Sequence, residues 1–68
     1  MKHPGFITIV DDDASTEKKV AAADVPESVA FIGEVAVVRV VSRKRSDGAR
    51  EVMSYDADGA LLQSTLMR

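Results

Sequence analysis

Two Asp-Gly dipeptides, Asp47-Gly48 and Asp58-Gly59, divide the second half of the chain into three stretches of strand-like composition. These stretches cover residues 34–45, 50–56 and 60–67. An Asp-Gly pair between two such stretches is the strongest short-range signal for a β-hairpin, because both residue types tolerate the left-handed backbone of a tight turn. The sequence therefore predicts a three-stranded antiparallel meander over residues 34–67.

The register of this meander decides which side chains share a face. With a two-residue loop at each dipeptide, the predicted core face gathers Ala36, Val38, Val40, Met53, Tyr55, Leu62 and Leu66. The opposite face, which we call the arginine face, gathers Val35, Val37, Arg39, Val41, Arg43, Arg45, Arg50, Val52, Gln63 and Thr65. At residues 56–59 the alternative is a type I turn followed by a G1 bulge, which would move Leu62 and Leu66 off the core face. The apolar pattern favours the two-residue loop, and the turn chemistry slightly favours the bulge. The register after this turn therefore stays open.

Residues 25–32 carry the signals of a short helix. Asp24 and Glu27 have the spacing of a capping box. Three large apolar residues fall on one helical face, namely Val25, Val29 and Ile32. Gly33 follows as a residue that ends helices. A competing interpretation of the same segment is a strand over residues 29–32.

The N-terminal part of the chain predicts one more strand. Residues 6–10 are β-branched or aromatic, and they lie between Pro4-Gly5 and a run of three aspartates. Residues 11–23 offer only Val20 as a large apolar side chain, so we expect a mobile linker there. Whether residues 14–22 form helix, strand or loop is left open.

Together these elements predict a small α+β domain over residues 1–68. Its antiparallel sheet combines the C-terminal three-stranded meander with the N-terminal strand and packs on one short α-helix. A chain of 68 residues without cysteine has a small core and no disulfide to stabilise it. We therefore expect association of identical chains to contribute stability.

Composition argues against most chemistry. The chain has no cysteine and one histidine, His3, which excludes thiol chemistry, disulfide scaffolds and ordinary zinc sites. No P-loop, GxSxG or HExxH motif is present. We expect no enzyme, no cofactor and no metal site. The longest apolar runs have four residues, against the ~20 of a membrane-spanning helix, and no signal-peptide pattern is present. These features predict a cytoplasmic protein that does not bind membranes.

Charge singles out one surface. Acidic residues outnumber basic ones in residues 1–35, and the reverse holds in residues 36–68. The candidate interaction surface combines exposed valines with arginines of the arginine face, namely Val37, Arg39, Val41, Arg43, Arg45, Arg50 and Val52. We expect a non-catalytic protein-interaction or accessory module that binds a second copy of itself, as a homodimer, or another protein. The alternative is a nucleic-acid-binding accessory protein that uses this arginine-rich hairpin.

Overall fold

The computed structural model describes residues 5–67, and most of them belong to β-strands. Seven strands and one short helix follow each other along the chain. They are β1 (Phe6–Asp11), β2 (Thr16–Ala21), α1 (Glu27–Ala30), β3 (Phe31–Ile32), β4 (Val35–Ala36), β5 (Arg39–Lys44), β6 (Arg50–Tyr55) and β7 (Leu61–Met67). A single 3₁₀ turn, Ala22–Asp24, follows β2.

Five strands form one mixed sheet in the order β2-β1-β5-β6-β7. The meander is confirmed, because β5, β6 and β7 pair antiparallel in sequence order. The N-terminal strand also joins this sheet, as predicted. The prediction of a wholly antiparallel sheet is wrong, because β1 runs parallel to β5. The molecule is thus a small, mostly β domain with one short helix, and residues 22–38 connect β2 to β5.

The linker predicted over residues 11–23 is wrong, because Thr16–Ala21 forms strand β2. It pairs antiparallel with all of β1, and Val20 lies directly opposite Ile7. Charged residues at positions 17, 18 and 19 hide this strand in the sequence. They suit an edge strand, where charge discourages pairing with other chains.

The short helix predicted over residues 25–32 is confirmed in part. Only Glu27–Ala30 is helical, and the N-cap position is Pro26, without a side-chain capping bond. Phe31–Ile32 forms a hairpin with Val35–Ala36, so the competing strand interpretation holds for the end of the segment. Gly33 does not end the helix. It occupies this two-residue hairpin loop with φ +64°, where a left-handed residue is required.

The core lies between the sheet and the connection of residues 22–38. Its buried side chains come from both layers, namely Ile7, Ala22, Ala30, Phe31, Val37 and Val40. Half-buried Ile32, Val52 and Leu62 pack against them. Of the core predicted from sequence, Val40 is buried, whereas Val29 is 40% exposed. We call the sheet face under this connection the covered face.

Both Asp-Gly turns adopt the same geometry. In the first, Gly48 N donates to Arg45 O at 3.1 Å and Arg45 N donates to Ala49 O at 2.7 Å. In the second, the corresponding bonds run from Gly59 N to Asp56 O and from Asp56 N to Ala60 O. Each is a type I turn with glycine as the left-handed residue of a G1 bulge, at φ +88° and +82°.

The first turn moves the β5–β6 register by one residue from the predicted one. Ser42 lies opposite Val52, and Arg39 lies opposite Tyr55. A one-residue slip exchanges the two faces of a strand. Val52 therefore joins Val40 on the covered face, and the predicted core position of Tyr55 is wrong.

A second irregularity changes the register of β7. The pairing shifts between Ser54 and Tyr55, so Tyr55 lies opposite Leu61, while Glu51 lies opposite Leu66. The shift brings Leu62 against the core. From Ser54 to Arg50, the β6–β7 pairs are the ones predicted for a two-residue loop, although the turn itself contains a bulge.

Candidate interaction surface

The second face of the five-stranded sheet, which we call the open face, lies opposite the covered face. Its members follow from the pairing, because directly opposed residues share a face. They are Phe6, Thr8, Val10, Glu17, Lys19, Ala21, Arg39, Val41, Arg43, Glu51, Met53, Tyr55, Leu61, Ser64 and Leu66.

The open face is rich in exposed apolar side chains. Phe6 is 61% exposed, Leu61 is 55% exposed and Leu66 is 44% exposed. Half-buried Val41 and Met53 lie opposite each other on neighbouring strands between them. A large exposed apolar area on one face marks interaction sites in soluble proteins.

Four of the five charged residues on the open face form ion pairs with each other, and Lys19 is the fifth. Arg43 donates from Nε to Glu51 Oε1 at 3.1 Å, and its Nη2 lies 3.0 Å from the same oxygen. Arg39 Nη1 lies 3.6 Å from Glu17 Oε1. These contacts leave both signs of charge on the face, so it is mixed in polarity and not uniformly basic.

A shallow groove of about 460 Å³ lies at one end of the open face. Its lining consists of Thr8, Val38, Arg39, Val41, Tyr55, Asp56, Ala57 and Gly59. Asp56 Oδ1 accepts bonds from the amides of Asp58 and Ala60, both at 2.9 Å, so this carboxylate is held by its own turn. The groove is open and largely apolar, which suits the side chain of a partner.

Three of the seven predicted surface residues come together on the open face, namely Arg39, Val41 and Arg43. Val37 does not, because it is fully buried in the core. Val52 packs against the core from the covered face. For both valines the predicted exposure is therefore wrong.

Two of the predicted arginines lie elsewhere. Arg45 closes the first turn, with its Nε 3.7 Å from Asp47 Oδ2. Arg50 shares the covered face with Ser42, donating from Nη1 to Ser42 Oγ at 2.7 Å. The five arginines and lysines of this hairpin therefore do not form one basic surface.

The aspartate run after β1 has a structural role. Asp11 Oδ1 accepts bonds from the amides of Asp13 and Ala14 at 3.1 and 3.3 Å. Asp13 Oδ2 accepts the Lys44 amide at 2.6 Å and lies 3.8 Å from Arg50 Nη1. These contacts fix the β1–β2 loop on the end of β5. Across residues 5–67 no three acidic or histidine side chains are grouped to hold a metal ion.

The sequence analysis missed Phe6, Met53, Tyr55 and Leu61 as surface residues. The signal for Met53 and Tyr55 was the five-residue pattern shared by the two turns, x-x-Asp-Gly-Ala at residues 45–49 and 56–60. Read as a G1 bulge in both places, it gives the observed β5–β6 register. His3, the only histidine, lies outside the described residues.

Comparison with known protein families, curated proteins and solved structures finds no match to this chain. Among the described residues, no helix has the length and apolar composition that crossing a membrane requires.

Proposed function

We propose that this chain is a non-catalytic protein-interaction module and that it self-associates through the open face. The observation that carries the proposal is the exposure of Phe6, Leu61 and Leu66 on a face where four of the five charged residues are already in ion pairs. Apolar area exposed to water favours association, and burying it gains about 25 cal/mol per Å². The cytoplasm remains our proposed compartment, on composition alone.

A second copy suits the open face because the face carries both signs of charge. Across a two-fold axis, the Arg39–Glu17 and Arg43–Glu51 ion pairs of one chain can lie beside those of the other, opposite signs together, while the apolar residues meet between them. Arginine is enriched at such interfaces, because its stem packs and its head binds carboxylates.

The size of the open face predicts weak binding. Five strands about 4.8 Å apart and six residues long, at about 3.3 Å each, cover roughly 480 Å² in plane. A standard interface buries about 800 Å² per partner. Face-to-face contact of two chains is therefore expected to be smaller than a standard interface and to give a weak, concentration-dependent dimer.

Nucleic-acid binding is a second candidate, favoured by one observation. Tyr55 lies directly opposite Arg39, so an aromatic ring and a guanidinium are neighbours on the groove. Such a pair can stack a base and contact a phosphate. Against it, Arg39 and Arg43 are engaged by carboxylates, and the chain has a net charge of −2.

Sedimentation velocity of the parent and of Val41→Glu tests the proposal. Val41 lies at the centre of the open face, so a glutamate there should shift the mass distribution to smaller species at equal concentration. Ser28→Glu is the matched control, because it makes the same charge change at an exposed position of α1, away from the open face. This variant should sediment like the parent. A parent that stays monomeric at high micromolar concentration, or a Val41→Glu variant that associates like it, would refute the proposal.

A binding experiment tests the second candidate function, nucleic-acid binding. Salt-dependent binding of an oligonucleotide by the parent, lost in Arg39→Ala, would favour it.

A further inference from the structure

The two edges of the sheet differ in their protection against pairing with another chain. Edge strand β2 carries Glu17, Lys18 and Lys19 within its six residues. Edge strand β7 has seven residues, Leu61–Met67, and none of them is charged or a proline. Charge and proline are the usual means of blocking an edge. Strand β7 lacks both.

The direction of the peptide groups on β7 follows from the turn bonds. The bond from Arg45 N to Ala49 O shows that this pair is hydrogen-bonded across β5 and β6. Hydrogen-bonded and non-hydrogen-bonded pairs alternate along an antiparallel ladder. Glu51 and Met53 therefore direct their peptide groups toward β5, and the residues between them direct theirs toward β7. The bond from Asp56 N to Ala60 O fits the same alternation.

The outer edge of β7 is consequently defined. Val52, which faces β7, lies opposite Thr65, so residues 63, 65 and 67 direct their peptide groups toward β6. Ser64 and Leu66 direct theirs away from the sheet. In the described part of the chain no strand lies beyond β7 to receive them.

We infer that β7 pairs antiparallel with β7 of a second copy, with Thr65 on the two-fold axis. In this register Ser64 lies opposite Leu66 of the other copy, and these are the residues with outward peptide groups. Two such pairs give four backbone hydrogen bonds. Every directly opposed pair also comes from the same face, since Ser64 and Leu66 both lie on the open face.

The register shift near Leu61 limits this pairing to residues 63–67, where β7 runs regularly. Strand β7 has no charged residue, so pairing with its own copy brings no like charges together. Pairing of two β2 strands would place like charges opposite each other in some registers. The result is a ten-stranded sheet with both open faces on the same side. Its open face covers roughly 960 Å² by the same strand spacings, which exceeds the area of a standard interface side.

Pairing between two β7 strands is inferred from the backbone of β7 and does not depend on the proposed self-association through the open face. A chain with both interfaces would form a tetramer, in which two ten-stranded sheets pack by their open faces. Loss of either interface alone would leave a dimer.

Disulfide cross-linking tests the inference, since the chain has no cysteine of its own. Thr65 pairs with its own copy in a non-hydrogen-bonded position, where Cα atoms are about 4.5 Å apart, within the range of a disulfide. Thr65→Cys should therefore form a covalent dimer under mild oxidation. Gln63→Cys is the matched control, because its two copies would be roughly 14 Å apart, and it should cross-link at least tenfold more slowly.

A backbone variant separates edge pairing from random collision. Ser64→Pro in the Thr65→Cys background removes an outward N–H and no bond to β6, so the fold should persist by circular dichroism. Cross-linking should fall at least tenfold, whereas Ser64→Ala should leave it unchanged. Adding Val41→Glu, which should disrupt association through the open face, should also leave the cross-linking of Thr65→Cys unchanged. Equal cross-linking of the two cysteine variants, or a folded Ser64→Pro variant that cross-links fully, would overturn the inference.

Discussion

Val37 and Val41 are four residues apart but lie in different layers of the molecule. Val37 is fully buried beneath the connection of residues 22–38, whereas Val41 lies half-buried on the open face. A single strand over residues 34–45 would place both on the same face. The difference shows that the chain passes from one layer of the molecule to the other between them.

Backbone hydrogen bonds locate this passage at residues 37–38. Val37 N donates to Ala30 O at 2.8 Å, within the covering layer. Val38 N donates to Tyr55 O and Val38 O accepts Thr8 N, both at 2.9 Å, within the sheet. The alternation of side chains between two faces is therefore interrupted after Val37 and begins again with β5. This interruption allows residues 22–37 to form a separate layer that covers one face of the sheet.

Glutamate substitutions at the two valines should give the largest contrast. Val37→Glu buries a carboxylate, which costs several kcal/mol, about the whole stability of such a small domain. Val41→Glu keeps its charge in water and should cost under about 1 kcal/mol. Thermal melts followed by far-UV circular dichroism measure both. A Val37→Glu variant that melts like the parent would show that the layers are assigned wrongly.

Alanine substitutions at neighbouring positions of β1 sharpen the same comparison. Ile7 is fully buried and Phe6 is 61% exposed. Ile7→Ala should cost about 2–5 kcal/mol through lost burial and a cavity. Phe6→Ala should cost under about 1 kcal/mol and should reduce self-association instead. Urea unfolding gives the stabilities, and similar losses at both positions would contradict two unequal faces.

Two substitutions at a turn glycine should show the smallest contrast, although this glycine sets the register on which both faces depend. A side chain at Gly48 would meet no atom within 4 Å, so the cost of Gly48→Ala is conformational, about 1–2 kcal/mol. Gly48→Asn should cost less, because asparagine tolerates the left-handed region. Urea unfolding of the two variants measures the difference. Equal stability of Gly48→Ala and the parent would argue against the bulged turn.

The sequence predicts the parts of the fold that local patterns specify. The Asp-Gly pairs predict the β5–β6–β7 meander, and the β-branched residues 6–10 predict strand β1. Strand β2 escapes prediction because charged residues replace the alternation that a more buried strand would show. Its place is decided by pairing with β1, which is a tertiary effect.

The candidate site could be predicted only in part for a similar reason. Arg39, Val41 and Arg43 alternate within one strand, so they share a face in any register. Whether Met53 or Val52 joins them depends on one residue in the turn, and Asp-Gly fits both turn types. The repeated five-residue pattern at the two turns is the local signal for the bulge, and the β6 and β7 residues of the open face depend on the turn type that it specifies.

The register of β5 and β6 is the central claim, since it assigns every side chain of the hairpin to its face. Nuclear Overhauser effects between Hα atoms test it directly, because only non-hydrogen-bonded pairs bring Cα atoms to about 4.5 Å. The structure predicts strong effects between Ser42 and Val52 and between Val40 and Ser54. A strong effect between Arg43 and Val52, with the Ser42–Val52 effect absent, would contradict it and return Val52 to the open face.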